Sequence, residues 1–425
     1  MQIERTIVAK IQKFMAAEKI IILKGARQVG KTTIMKYLKR QLDLQHKKTF
    51  YISADEDFDH SIFKTPQHFI SVVESQLCLN DELSYVFIDE FQYIQKAGIF
   101  LKVLYDQYAS KIQFIVSGSS SLEISKNSEF LTGRKIEFQI FPISFQEYVA
   151  YKSPDLARQL LSLPYHYDRW KILYDINQNN LEILFTQFTQ FGSYPEILTT
   201  PTNEVKKVLL RELFSTYIQK DIIAFLRIEN ISAFNHLLKI LCSEVSHMMN
   251  KNSLANALRI SINTLNKYLY ILEGTYVCAF LSPFHTNVRK EVSKMKKIFF
   301  NDNGLRNYLL NRFPLHYDDI DGQDAENLAY AALRDHIYQE QLFYFRTLSK
   351  SEIDFIVDLG EHKLPIEIKF RKKVTTIPIA MVNFKKNYHT NRFIVVTKND
   401  FSESGENLFI PMPLFEFYLS HEITS

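Results

Sequence analysis

The sequence predicts an α/β protein led by a parallel sheet with helices on both faces. Three observations carry this. A complete phosphate-binding loop, Gly25 to Thr33, lies between an apolar strand and a helix. Strand-like and helix-like stretches alternate through residues 1–150. A second apolar strand, Tyr85 to Ile88, ends in two acids, Asp89 and Glu90.

The elements follow in order. MQIERTIVAKIQKF has apolar residues at helical spacing and leads into KIIILKG (19–25), a buried strand. KTTIMKYLKRQL (31–42) is helical, KTFYISAD (48–55) a strand and FISVVESQL (69–77) a helix. SYVFIDEFQYI (84–94) runs from strand into turn, GIFLKVLYDQY (98–108) is a helix, and KIQFIVSGSSS (111–121) is a strand with a polar end. Residues 151–240 read as a helical lid or connector, with apolar residues three and four apart in VKKVLLRELFSTYIQKDI (205–222). Residues 241–310 hold two short helices and a strand pair. Residues 311–425 return to mixed α/β character after the turn-rich, acidic stretch LLNRFPLHYDDIDGQD (309–324).

Bulk properties narrow the class. With 425 residues the chain is long enough for several cores. The formal net charge is +4, from 51 basic and 47 acidic residues, which permits nucleic-acid binding without arguing for it. Cys78, Cys242 and Cys278 lack metal-type spacing and read as buried, reduced thiols of a cytoplasmic protein. No apolar run reaches the roughly 20 residues of a membrane span, and the first residues lack the apolar core of a signal peptide.

Gly25-Ala26-Arg27-Gln28-Val29-Gly30-Lys31-Thr32 matches the G-x-x-x-x-G-K-[ST] pattern without departure. Its glycines let backbone N–H groups approach phosphates, Lys31 brings positive charge, and the Thr32 hydroxyl can ligate Mg²⁺. Asp89 would hold the metal through water, and Glu90 would orient and deprotonate an attacking water. Ser117, in Phe114-Ile115-Val116-Ser117-Gly118-Ser119-Ser120, reads either as a polar sensor of the γ-phosphate or as an ordinary strand-to-loop turn. Arg134, in Leu131-Thr132-Gly133-Arg134, reads either as a structural arginine or as one that reaches a neighbouring subunit's nucleotide.

The C-terminal part carries isolated acids on apolar strands. Asp354 lies within Glu352-Ile353-Asp354-Phe355-Ile356-Val357, and Glu367 and Lys369 share one face of Pro365-Ile366-Glu367-Ile368-Lys369. With Glu326 on an earlier helix, this is the layout of a metal-dependent phosphodiesterase. Asp354, Glu367 and Glu326 would be the Mg²⁺ ligands and Lys369 would activate water. The bland alternative is an acid-bearing edge strand. The run Lys369-Phe370-Arg371-Lys372-Lys373 offers charge to a phosphate backbone or is simply solvated.

Residues 253–258, Arg259-Ile260-Ser261 and residues 262–272 read as helix–turn–helix, with Asn263, Thr264, Asn266 and Lys267 projecting from the second helix. Strand-like Tyr276 to Leu281 and Lys297 to Asn301 would form a wing. Such a unit contacts DNA or packs between domains.

Taken in order, GARQVGKTT, YVFIDEFQYI, IVSGSSS, LTGRKIEFQIFPISFQEY, GSYPE, YIQKDI, FFNDNGLRNYL, EIDFIV and IEIK resemble a widespread prokaryotic family. Its members join a P-loop AAA+ parallel sheet with a helical lid to a winged-helix module and a C-terminal restriction-endonuclease-like, PD-(D/E)xK domain. The resemblance implies domains at 1–150, 151–240, 241–310 and 311–425. It implies ATP and Mg²⁺ as cofactors, a homo-oligomer of the hexameric-ring kind, and DNA as partner. It places Gly25, Gly30, Lys31 and Thr32 in the nucleotide loop and Asp89 and Glu90 as metal and catalytic acids. Ser117 falls at the sensor position, Arg134 at an arginine finger, and Glu326, Asp354, Glu367 and Lys369 in the nuclease core. The implied function is an ATPase that remodels branched or foreign DNA with an attached nuclease. A nucleotide-switched DNA- or protein-binding module on a merely structural nuclease fold is the alternative.

Overall fold

The computed structural model describes residues 3–56, 61–77, 82–118, 131–162, 164–218, 228–284, 295–347, 351–371, 373–374 and 376–422. Cys78, Ser119, Ser120, Gln219 to Ile222 and Lys372 lie outside the described residues. The chain divides into two compact units. One comprises Glu4–Pro142 with residues 274–277. The other holds residues 143–273 and 278 onward.

The smaller unit opens with α1 (Thr6–Gln12), β1 (Ile20–Lys24), α2 (Lys31–Leu44), β2 (Thr49–Ser53), α3 (Pro66–Leu77) and β3 (Ser84–Asp89). After a single 3₁₀ turn at Phe91–Tyr93 come α4 (Ala97–Tyr108), β4 (Ile112–Gly118) and β5 (Lys135–Gln139). The strands form one sheet in the order β2-β3-β4-β1-β5, and every pairing is parallel. Ile20 to Leu23 are fully buried, as a central strand covered on both faces requires. Ile20, Ile22, Val86, Ile88, Phe114 and Val116 meet Phe69, Val73, Phe100 and Leu104 of α3 and α4, while α2 covers the opposite face. One polar residue is built into β4. The Gln113 side chain donates to the carbonyls of Phe14 and Ala17 (2.9 Å each) and accepts from the Ala16 N–H (2.7 Å). It fixes the turn that delivers the chain into β1. The edge strand β5 goes beyond the strands read from sequence. Lys135, Glu137 and Gln139 alternate with its apolar residues, and only the neighbouring β1 makes that pattern a sheet edge.

The larger unit begins with α5 (Phe145–Lys152), whose start carries a capping box. The Glu147 N–H donates to Ser144 Oγ (3.2 Å), and the Ser144 N–H donates to the Glu147 carboxylate (3.1 Å). There follow α6 (Pro154–Leu161), α7 (Tyr167–Phe191), α8 (Pro195–Thr199) and α9 (Asn203–Leu213). Next come α10 (Ile231–Ser243), α11 (Lys251–Leu258), α12 (Ile262–Gly274) and the antiparallel pair β6 (Cys278–Leu281) and β7 (Lys297–Phe300). Then come α13 (Asn303–Leu309), α14 (Gly322–His336), β8 (Leu342–Arg346), β9 (Glu352–Asp358) and β10 (Lys363–Lys369). The chain continues through α15 (Ile379–Lys385), β11 (Phe393–Thr397), β12 (Ser402–Ser404), β13 (Asn407–Pro411) and α16 (Met412–Glu422). The second sheet runs β12-β13-β11-β10-β9-β8. Its β10, β11 and β13 are parallel and the remaining pairs antiparallel. One face meets α14 and α16 through Phe355, Ile366 and Ile394 against Ala329, Leu333 and Phe415. The other is covered by Met381 and Phe384 of α15.

Two of the motifs in the sequence meet in this unit as a packing joint. α7 ends at Gly192, whose φ is +78°. A Cβ there would stand 2.3 Å from an Asp302 carboxylate oxygen, and one on Gly304 would stand 2.1 Å from the Phe191 carbonyl oxygen. Asp302 accepts from the Ser193 N–H (2.6 Å), the Ser193 hydroxyl (2.9 Å) and the Leu305 N–H (2.7 Å). Asn307 donates to the carbonyls of Thr189 and Gln190 at 2.9 and 3.2 Å. The glycines admit a backbone contact no side chain would allow, and the polar groups satisfy the helix ends buried there.

Candidate functional site

The nucleotide loop leaves the carboxyl end of β1 and opens α2. Gly30 (φ +98°) and Gln28 (φ +60°) take left-handed conformations that turn the chain sharply into the helix. Gly25 lies against the end of β5, where the Ile140 N–H donates to the Lys24 carbonyl at 2.6 Å. A Cβ on Gly25 would meet the Ile140 carbonyl oxygen at 2.2 Å. Arg5, not singled out in the sequence, clamps the loop from behind. Its guanidinium donates to the carbonyls of Val29 (2.9 Å) and Phe141 (2.7 Å). Lys31 is buried and donates to the carbonyls of Gly25 (3.0 Å) and Ala26 (2.7 Å). Burial pulls its ammonium down to about 8, against the opposing pull of Glu90 and Asp89. Arg27 reaches Tyr93 Oη at 3.0 Å. Thr32 and Thr33 occupy the first turn of α2, where unsatisfied N–H groups and the helix dipole favour anions.

Asp89 is 1% exposed at the end of β3, and Glu90 follows in a left-handed conformation (φ +51°) that turns its side chain off the strand line. The Tyr51 hydroxyl donates to Asp89 at 2.8 Å, a partner visible only once β2 lies beside β3. Burial and then Asp89 push the Tyr51 phenol well above its ordinary range, so it stays a donor. Ser117 is fully buried and donates to Asp89, while the Glu90 N–H donates to Ser117 Oγ at 3.2 Å. Ser117 thus ties the two acids together. Gln92 donates to the Glu90 carboxylate. The Thr32 hydroxyl and the Asp89 carboxylate are hard oxygen donors of the kind Mg²⁺ takes, so this site fits the ion.

Arg134 lies elsewhere. It precedes β5, and its carbonyl accepts from the Ile20 N–H at 2.8 Å, at the amino end of the sheet. Five residues of strand, roughly 16 Å, separate that end from the loop. Its guanidinium pairs with Asp106 at 2.7 Å. Within this chain it does not join the nucleotide site.

In the larger unit the C-terminal acids do converge. The Asp354 N–H donates to the Glu367 carboxylate (3.3 Å), Asp354 accepts from the Ile368 N–H (2.9 Å), and Lys369 pairs with Glu367. At their centre stands a residue the sequence reading passed over. Lys297, on β7, is 2% exposed. Its ammonium lies 2.6 Å from Glu352, 3.4 Å from Asp354 and 3.7 Å from Glu326. Burial pulls its pKa down, but Asp354, Glu326 and Glu352 outweigh burial and hold it above the ordinary lysine range. Burial and then Asp354 raise both Glu326 and Glu367. A cation already sits among the carboxylates expected to bind Mg²⁺. Among the described residues no three acidic, histidine or cysteine side chains are arranged to hold a metal ion. The set as built does not fit a divalent ion. Lys297 was missed because a lysine opening the short apolar run Lys297 to Phe300 reads as a solvated strand end.

Three family models match the chain. Residues 17–149 match the family model of an AAA domain. Residues 183–316 match a domain of unknown function, DUF8612, and residues 321–415 another, DUF4143. The all-parallel sheet and the AAA match agree in giving the smaller unit an AAA-type P-loop fold. An uncharacterized protein of Methanocaldococcus jannaschii is 24% identical over 425 residues, spanning 95% of this chain and 89% of its own length. One of Haemophilus influenzae is 21% identical over 387 residues, spanning 88% and 89%. Among solved structures, the Aeropyrum pernix ORC1 protein in complex with DNA overlaps 72% of this chain and 91% of its own. It does so at 8% identity and a TM-score of 0.29. The replication initiator DnaA bound to AMPPCP and single-stranded DNA overlaps 63% and 86%, at 14% identity and a TM-score of 0.28. Among the described residues no helix is long and apolar enough to cross a membrane.

Proposed function

We propose that the chain hydrolyses ATP and uses the nucleotide state to control its grip on DNA. The observation that carries the first half is the placing of Lys31, just beyond β1, and of Asp89 and Glu90, at the carboxyl end of β3, on either side of β4 in one parallel sheet, with Ser117 and Tyr51 holding the acids in place. Lys31 exchanges its loop carbonyls for phosphate oxygens. Mg²⁺, when bound, neutralises phosphate charge beside Thr32 and Asp89. Glu90 accepts the proton of the attacking water.

The second half rests on α11 and α12. Arg259 (φ +53°) makes the left-handed turn between them, and the Thr264 N–H donates to Ser261 Oγ at 3.0 Å to start α12. Asn263, Asn266, Lys267 and Tyr270 all point to solvent from α12, opposite the buried Leu265, Tyr268, Leu269 and Leu272. An exposed helix face of amides, a lysine and a phenol suits base edges and phosphates in a major groove. The β6–β7 pair supplies the strands of a winged helix. The C-terminal sheet, with Lys297 among its acids, serves this reading as a nuclease-like scaffold.

The test is fluorescence anisotropy of full-length protein on duplex and branched DNA at several salt concentrations, with and without ATP. The double variant Asn266→Ala/Lys267→Glu is expected to lose about tenfold in affinity or more. Binding that the variant leaves untouched, or no DNA binding at all, would move α12 to a protein partner.

The proposal includes a homo-oligomer in which Arg134 leaves Asp106 to reach a neighbour's γ-phosphate. Arg134→Ala should then retain ATP binding and lose roughly 10³-fold in turnover. Mixing it with Glu90→Gln subunits should recover activity, since each supplies what the other lacks. Unaltered turnover in Arg134→Ala assigns the residue to its pair with Asp106 alone.

A further inference from the structure

We propose that Lys297 is an internal cation standing where a divalent metal would sit, and that the acidic centre is an electrostatic lock joining β7 to the C-terminal sheet. The inference concerns the larger unit alone and is independent of the ATPase and DNA readings.

Three facts support it. First, the lysine bridges elements far apart in the chain. Glu326 comes from α14, and Glu352 and Asp354 come from β9. Around them stand Arg346, 3.5 Å from Glu352, the Lys369–Glu367 pair, and the Tyr344 ring, 5.6 Å from the Lys297 ammonium. Second, Lys297 cannot readily swing away. Its strand pairs with β6 on one side. On the other, the Met249 N–H donates to the Lys296 carbonyl (2.9 Å), the Ser246 N–H to the Ile298 carbonyl (2.7 Å) and the Ile298 N–H to the His247 carbonyl (3.2 Å). Third, the charges leave no room for a second cation. A divalent ion at Asp354 would face an ammonium within the same few ångströms, and in a buried site like charges repel strongly. One lysine can satisfy several carboxylate oxygens but offers no exchangeable coordination position for a water or a phosphate. The centre therefore contributes cohesion between β7, α14 and β9 where an open metal site would contribute chemistry.

The experiment removes the lysine. In full-length protein carrying Asp89→Asn, to silence the nucleotide-site acid, thermal melting and Mn²⁺ titration calorimetry are run without nucleotide on the Lys297 and Lys297→Met forms. Without metal, Lys297→Met should melt lower by about 5 °C or more. Millimolar Mn²⁺ should recover much of that loss, with calorimetric binding, while leaving the Lys297 form unmoved. Adding Asp354→Asn should restore melting without metal and abolish the Mn²⁺ response. The proposal is overturned by equal Mn²⁺ binding with and without Lys297, by Lys297→Met melting unchanged, or by a folded Lys297→Met protein that takes no Mn²⁺. If Lys297→Met does not fold, failure of the Asp354→Asn combination to rescue folding overturns it as well.

Discussion

Glu90→Gln should bind ATP as the parent protein does and turn it over roughly 10²- to 10⁴-fold more slowly. The amide keeps the shape of the side chain and its place beside Gln92, but it cannot accept a proton from water. Its backbone bond to Ser117 Oγ is untouched, so the loop and Asp89 should stay in place. Lys31→Ala is the complementary change. It removes the buried ammonium beside the Gly25 and Ala26 carbonyls, and nucleotide affinity itself should fall. Fluorescent-nucleotide binding and phosphate release, measured on the same preparations, separate the two effects. Unchanged turnover in Glu90→Gln would strip that acid of its role and leave Asp89 as the remaining candidate.

Arg306→Ala should destabilise the larger unit by about 3–5 kcal/mol. Arg306 and Asp324 form an ion pair 1% and 0% exposed. Arg306 also donates to the Cys242 carbonyl at 2.9 Å and to Gln323 at 3.1 Å, so one side chain ties α10, α13 and α14 together. Asp324 takes a second arginine, Arg312, at 2.8 Å, and closes the capping box that starts α14. Truncating Arg306 leaves a buried carboxylate with one arginine instead of two and a buried carbonyl without its donor. Denaturant melts followed by tryptophan emission would read the loss, because Trp170 is the only tryptophan and is fully buried in this unit. The charge-free pair Arg306→Met/Asp324→Leu should recover part of it. A loss below about 1 kcal/mol, the range of exposed pairs, would show that water reaches the pair.

The acidic centre and the arginine joint share a physical logic. Both bury charge where helices and strands of distant sequence meet, and both satisfy it with several partners. Neither would be tolerated half-made, because a lone ion in a low-dielectric interior costs several kcal/mol. Such networks are invisible in the sequence, where Lys297, Arg306 and Asp324 look like surface charges.

What the sequence by itself determined is local. Gly25 to Thr33 names its own conformation, because a strand, a loop with glycine at each end and a helix are contiguous. Tyr85 to Glu90 likewise states a buried strand ending in acids. Tertiary structure alone decided what depends on chains meeting. Strand β5 became the sheet edge only through its pairing with β1. Leu414 to Leu419 is a short, mostly apolar run interrupted by Glu416, whose periodicity does not separate strand from helix, yet it lies in helix α16, buried between other elements. The hydrogen bonds that tie Ser117 to Asp89 and Glu90 exist only because β4 lies beside β3. Lys297 reached Asp354 across 57 positions of chain. Contact and charge compensation are properties of neighbours in space, and a pattern read along one strand of residues carries no record of them.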